Sequence, residues 1–413
     1  MALVVILISR LIGVEGTGRY FLLFSIASFG SIVMSLGLGA SQTRLATFLT
    51  PGTLEWAQEF RTLLNGLLLK NLILIILTLV IVFPVCEMTE CLSAAGSSSV
   101  VALVVWISGW AVTVVVAGGL RVHRCQVQAS LMENVFPIAI FSISIFCIWV
   151  SETPGSLALI TWVFAGSWVA AAIGASILLT RRNQHMGSHK PFRNLHTDEY
   201  SDSLGTFESE RKHLWLLTVW TRLINTADIW LVTFVAGVES AAYYGLVIRL
   251  VAPLVLVKGA QNYVIGPLLI QSIVEKAVDK SEQIIKPYVW LSSVINLAYA
   301  GLILVAANYL FQTMLGVSPP EAPLVIAAAI VGRVVAVATG PAGEILRMCG
   351  QQKQLLLTSI LVWSIFAIIV LGPFNIRDVL SFTLLFSLAL IIENVYQCIL
   401  SRKTSGVRSW VRI

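Results

Sequence analysis

Residues 99–120 read SVVALVVWISGWAVTVVVAGGL, with no charged side chain until Arg121 and Arg124 follow. A helix rises 1.5 Å per residue, so about 20 such residues cross a hydrocarbon core of about 30 Å. A barrel strand needs only about 9–11 residues, so the stretch predicts a membrane helix despite its valines. Comparable segments fall near 1–13, 20–42, 62–84, 132–150, 157–180, 214–236, 241–266, 287–311, 322–346, 354–374 and 379–400. The fold class that follows is all-α integral membrane, with about twelve transmembrane helices.

Composition points the same way. Hydrophobic residues make up 57% of the chain and charged residues 12%, with a mean hydropathy of +0.87. A soluble domain carries roughly 25% charged residues. Half that share cannot cover a globule with a solvated surface, so lipid must be the solvent. The net charge of +6 is therefore no argument for nucleic acid, and none is expected as a partner.

The basic residues also set the orientation. With residue 1 inside, nineteen Lys and Arg fall in cytoplasmic connections, and only Arg19 and Arg377 fall outside. Six more lie within apolar segments: Arg10, Lys70, Arg222, Arg249, Lys258 and Arg333. That asymmetry is the positive-inside pattern and places both termini in the cytoplasm. One helix more or fewer would invert every later loop and destroy it. The chain opens in the apolar run Met1–Ile8, with no basic region before it and no small-residue cleavage site, unlike a secretory signal.

The longest hydrophilic stretch, 181–213, falls near the middle and reads as a cytoplasmic linker between lobes 1–180 and 214–413. Its His185 and His189 have the spacing of a helical metal pair, but Gly187 and Pro191 argue against a helix there. No metal and no cofactor are expected. Of the six cysteines, Cys86 and Cys91 share one outer loop; a local disulfide and two separate thiols are both compatible with that spacing, and the plainer reading is two thiols.

The two halves repeat. Gly13-Val14-Glu15 with Tyr20 and Leu22 recurs as Gly237-Val238-Glu239 with Tyr244 and Leu246, at an offset of 224. Gly109 matches Gly332 and Arg124 matches Arg347 at an offset of 223. A duplicated six-helix unit explains both, and an even helix number puts the pseudo-two-fold axis along the membrane normal. On this register the first helix is short by about 10 residues, too few to span about 30 Å. A start codon set too late, or a truncated gene, is the expectation, and mass spectrometry of the intact N-terminus tests it.

Ionisable groups at mid-bilayer cost roughly 2.5–3.5 kcal/mol on insertion scales, so they face a partner or a wet cavity. Arg333 lies about 16 Å into its segment, with Gly340 and Glu344 on the same stripe. Thr218, Thr221, Arg222, Asn225 and Asp228 form a polar band on the seventh segment, as a cavity wall would. Arg249 is again deep, whereas Lys258 and Lys70 sit near inner ends and read as snorkelling lysines. Ser28, Ser31 and Ser35 share one helix face, suited equally to close packing and to a polar lining. An internal ion pair of Arg222 or Arg249 with Asp228 is the plainer account of single charges. For the group, Arg10, Arg222, Arg249 and Arg333 outnumber the deep acids, chiefly Asp228, with Glu344 and Glu393 nearer the inner face. Guanidinium forks bind phosphate bidentately, so such a chamber suits a phosphorylated anion.

Ser9-Arg10-Leu11-Ile12-Gly13, then Gly18-Arg19-Tyr20 and Leu36-Gly37-Leu38-Gly39, resemble the opening of Wzx-type polysaccharide flippases of the O-antigen and teichoic-acid kind. Asp228 through Gly237, Tyr243-Tyr244 and Arg249 to Pro267 resemble the start of their second lobe, and Gly340 to Lys353 their tenth-helix exit. The likeness covers nearly the whole chain through loose motifs and places it near the MOP exporter superfamily. It implies two six-helix lobes about a cleft lined by helices 1, 2, 7 and 8. It further implies alternating access that carries a lipid-pyrophosphate-linked oligosaccharide across a bacterial cytoplasmic membrane.

Substrate contacts then fall to Arg10, Arg222, Arg249 and Arg333, and ion coupling to Asp228, Glu344 and Glu393. The implied partners are the lipid-linked oligosaccharide, membrane lipids, and a polysaccharide polymerase with its glycosyltransferases. A multidrug or toxin extrusion antiporter of the same superfamily would favour acidic residues for its cations. A membrane polymerase would need a large catalytic loop or a domain with paired carboxylates, and neither is visible, so no enzyme is expected.

Overall fold

The computed structural model describes residues 2–35, 96–122, 125–152, 155–186, 197–274, 277–316, 320–349, 351–372, 376 and 378–410. Lys70, Cys86, Cys91, Arg124 and the side chains of His185 and His189 lie outside what is described. The described residues form helices and no strand: α1 (Ala2–Met34), α2 (Gly96–Val122), α3 (Gln126–Val150), α4 (Leu157–Met186), α5 (Thr197–Ala236), α6 (Val238–Val274), α7 (Val278–Leu315), α8 (Ala322–Ala338), α9 (Ala342–Met348), α10 (Gln352–Leu371) and α11 (Val379–Ser405). Eight of them are long and apolar enough to cross a membrane, or nine if the bent pair α8–α9 is one span. Their outer faces carry side chains that water would not tolerate in such number, among them Val305, 90% exposed, and Ile368, 68% exposed. The chain is a multi-pass membrane protein.

Several elements run differently from the sequence expectation. Within the first two segments, Ala2–Met34 form one run that leaves helical geometry only at Gly13, φ 73° and ψ −178°. Its repeat partner Gly237, φ 89°, separates α5 from α6. Both need a left-handed φ that an L side chain resists, which is why glycine recurs at this offset. The stretch 181–213 is helical at both ends, since α4 runs to Met186 and α5 begins at Thr197. The tenth segment divides into α8 and α9, which meet at 43°.

Two compact units emerge. The first comprises residues 1, 3 and 7–230, and the second residues 2, 4–6 and 231–413, so the division falls inside α5. In the first, α2 packs along α4, and α3 joins α4. Gly109 permits the close approach of α2 to α4, because a Cβ there would lie 3.1 Å from Val169 N. Tyr20 and Phe24 of α1 meet Phe141, Phe164, Trp106 and Trp110 in an aromatic core. In the second unit α8 packs along α11, with Gly332 against Ser387, where a Cβ would lie 2.9 Å from Ser387 Cα. Tyr244, Phe382, Phe386, Trp363 and Phe366 form the matching aromatic core. Gly109 and Gly332 thus each sit at a close helix–helix contact, and each unit holds an aromatic core.

Local signals explain some boundaries. Pro137 has no N–H to donate, and the ladder before it slips to π geometry over Leu131–Val135. Asp378 caps α11, its Oδ2 accepting the Ser381 N–H at 2.7 Å.

Candidate functional site

The first polar seam joins α1 to α5. The Ser25, Ser31 and Ser35 hydroxyls each donate to the carbonyl three residues back, at 2.7–2.9 Å, which satisfies their protons within the helix. The hydroxyl oxygens remain available as acceptors, and α5 uses two of the α1 serines. Arg222 Nη1 donates to Ser28 Oγ at 3.3 Å, and Trp230 Nε1 donates to Ser25 Oγ at 2.6 Å. Trp230 also meets Phe29 edge-on at 5.5 Å, and Trp215 Nε1 reaches the Val33 carbonyl at 3.2 Å. The serine face is therefore a hydrogen-bonding rail as well as a packing surface. Asp228 is 3% exposed, and its Oδ1 accepts the Ile229 N–H at 2.8 Å.

A second polar cluster lies in the other unit, where α6, α9, α10 and α11 contribute. Lys258, read from sequence as snorkelling, turns instead to another helix: its Nζ donates to Asn394 Oδ1 at 2.8 Å. A side-chain partner in reach removes the need to carry the ammonium to the membrane edge. Glu393 accepts from Trp363 Nε1 at 2.9 Å and from Gln397 at 3.4 Å. Glu344 pairs with Arg347 at 2.9 Å, one turn along α9. Both carboxylates lie within electrostatic reach of the Lys258 ammonium.

The anticipated cationic residues divide between the units. Arg10 is exposed on the short helix before Gly13, and Arg222 is half-buried on α5, both in the first. Arg249 is half-buried on α6, and Arg333 is buried on α8, both in the second. Arg333 Nη1 donates to its own helix at Ala329 O, 3.2 Å. Of the anticipated acids, Glu344 on α9 and Glu393 on α11 lie within electrostatic reach of Lys258, and Asp228 lies on α5. Ser25, Trp230, Asn394 and Trp363 were not singled out in sequence. A tryptophan in a membrane segment reads as apolar bulk until its N–H finds an acceptor. Among the described residues no group of three or more His, Cys, Asp or Glu could hold a metal ion. A cavity of about 440 Å³ between α2 and α4 is lined mainly by Val112, Ala172, Ile173 and Ile177, the last two well exposed, and belongs to the apolar outer face.

No protein-family model matches the chain, and no curated protein matches it. Solved structures do. An inward-facing multidrug resistance MATE family transporter of the MOP superfamily aligns with a TM-score of 0.65 at 13% identity, covering 98% of this chain and 93% of the other. The lipid II flippase MurJ, in an inward closed conformation, aligns at 0.62 and 13% identity, covering 96% of this chain and 83% of its own. A MOP superfamily transporter from Pyrococcus furiosus, whose binding pocket of reverse polarity suggests a different function, aligns at 0.62 and 13% identity over 98% and 91%. The fold is that of MATE- and MurJ-like transporters, and the proteins that share it here are transporters and flippases rather than enzymes.

Proposed function

We propose that the chain moves an anionic, lipid-(pyro)phosphate-linked oligosaccharide across a bacterial cytoplasmic membrane by alternating access, with both termini on the cytoplasmic side. One observation carries the reading: guanidinium groups lie inside the helices of a transporter fold, buried at Arg333 and half-buried at Arg222 and Arg249. Charged groups are retained at such depth for a ligand or pathway, and a guanidinium fork matches a phosphate. Arg10, Arg222, Arg249 and Arg333 are the proposed substrate contacts, with Ser28 holding Arg222 in place. Asp228, Glu344 and Glu393 are the proposed groups for coupling to a cation. Membrane lipids, a polysaccharide polymerase and glycosyltransferases are the proposed partners in surface polysaccharide synthesis.

A cation antiporter is the second reading, favoured by the MATE structures and by the acids around Lys258. The Lys258 ammonium already supplies a positive charge among those acids, which weakens their call on a cationic drug. The test is flipping of a lipid-linked oligosaccharide in vesicles by the wild type, Arg222→Ala and Arg249→Ala. Each substitution removes a charge-assisted contact of about 1.5–3 kcal/mol, so transport should fall by roughly 10- to 100-fold. Unchanged transport in both variants overturns the role proposed for these guanidinium groups.

A further inference from the structure

After α11 the chain turns at Gly406 and runs as a non-helical strap, 406–410, against the junction of α8 and α9. Val407, 2% exposed, enters a core of Ile265, Leu269, Ile285, Val289 and Ile345. The Arg408 N–H donates to Glu282 Oε1 at 3.0 Å, and Arg402 lies over the Trp410 ring at 5.9 Å. Ser409, fully buried, reaches the break itself. Gly340 there has φ 67°, and a Cβ on it would lie 2.0 Å from Ser409 O. Cys398 Sγ touches both sides, 3.3 Å from Thr339 O and 3.4 Å from Ser409 Oγ.

The break is built into the sequence. Pro341 has no N–H to give Val337 O, which instead receives the Gly340 N–H at 2.9 Å, three residues on. Only a glycine both adopts the left-handed φ and leaves room for the strap carbonyl. Any rotation of the helix pair about residue 340 therefore moves against Ser409. The strap is held by one apolar side chain, the Arg402–Trp410 contact and a few single hydrogen bonds, and it borders two cavities. One, of about 400 Å³, is lined by Glu282, Lys286, Arg408 and Trp410 among others, and the other, of about 290 Å³, by Ser272, Cys349, Ser405 and Val407 among others. Sparse contacts beside empty volume mark a segment that opens before its surroundings unfold.

We propose that the 406–410 strap is an intramolecular latch: seated at Gly340, it holds α8 and α9 in their bent arrangement, and their angle changes only when the strap leaves. It rests on the transport reading only for the purpose that a change of angle serves, and its test uses no substrate. Ser409→Cys places a thiol beside the native Cys398, close enough for oxidation to form a disulfide with a small movement. Amide hydrogen exchange is then followed over 339–349 and 406–410 in the full-length protein. In the wild type the two segments should exchange together. In oxidised Ser409→Cys both should slow at least tenfold, and reductant should restore the wild-type rates. Gly340→Ala should expel the strap and speed exchange over 406–410 at least tenfold while residues 383–395 stay unchanged. Failure of the disulfide to form overturns the seat, and a pinned strap that leaves exchange over 339–349 unchanged overturns the latch. If Gly340→Ala does not fold, the disulfide comparison decides alone. Loss of oligosaccharide transport with an intact exchange pattern would count against the function and leave the latch standing.

Discussion

Helix α2 and the pair α8–α9 correspond by sequence offset, yet only α2 runs unbroken. Offset by 223 residues, Gly109 matches Gly332, Trp110 matches Arg333, and Ala117-Gly118 match Gly340-Pro341. The shared glycine does the same work in both, letting a neighbouring helix approach within contact of its backbone. The next position differs in kind. Trp110 stacks on Trp168 at 4.3 Å and 14°, closing the aromatic core, whereas Arg333 puts a guanidinium into a buried position and donates to Ala329 O. Further along, α2 continues through Ala117 while its counterpart breaks before Pro341 and receives the strap. At this position the first unit has a stacked indole on an unbroken helix. The second has a buried guanidinium on a bent helix pair, alongside an aromatic core of its own and the Lys258 cluster.

The comparison is open to attack at several strengths. Trp106→Ala, in the first unit, should cost about 3–5 kcal/mol, because the indole is fully buried against Phe24 and Phe164 and nothing refills its place. A thermal shift much smaller than that of other core truncations would show that the ring core is not what holds this unit. Gly332→Ala and Gly109→Ala should each cost about 1–3 kcal/mol, with Gly332 the worse, since its added Cβ meets a backbone Cα at 2.9 Å rather than a nitrogen at 3.1 Å. Equal tolerance at both positions in a chemical unfolding series would break the equivalence of the two helix pairs. Asp378→Ala removes the cap of α11 and should cost about 1 kcal/mol, with the loss seen as faster exchange in its first turn. Arg333→Met should have the smallest effect on stability, about zero or slightly favourable, because an apolar side chain replaces a buried charge. The same variant should lose transport, separating the charge's functional role from any structural one.

Much of the frame could be read from residue order alone. The apolar runs gave helices of membrane length, and the offsets from Gly13 to Gly237 and from Gly109 to Gly332 located one glycine pair of positive φ and one at close helix contacts. Hydropathy registers contact with lipid rather than helicity, so the helical start of α5 at Thr197 is not legible in that polar stretch. Side-chain pairing across helices was less legible. Lys258 and Asn394 are 136 residues apart, and Arg222 and Ser28 are 194 apart. Nothing in either local stretch names its partner. The apolar run 322–346 reads as one segment in sequence, and neither its break before Pro341 nor the seat of Ser409 beside it is legible there. The arginines as a class were visible; the second-unit cluster became visible only once α9, α10 and α11 were placed around Lys258.

The most direct test of the account is a side-by-side transport measurement with the purified protein in vesicles. A lipid-pyrophosphate-linked oligosaccharide and a lipophilic cationic drug are offered in turn, each followed by a probe confined to one leaflet or compartment. The account predicts movement of the lipid-linked anion and none of the cation. Efflux of the cation with no flipping of the anion would contradict it.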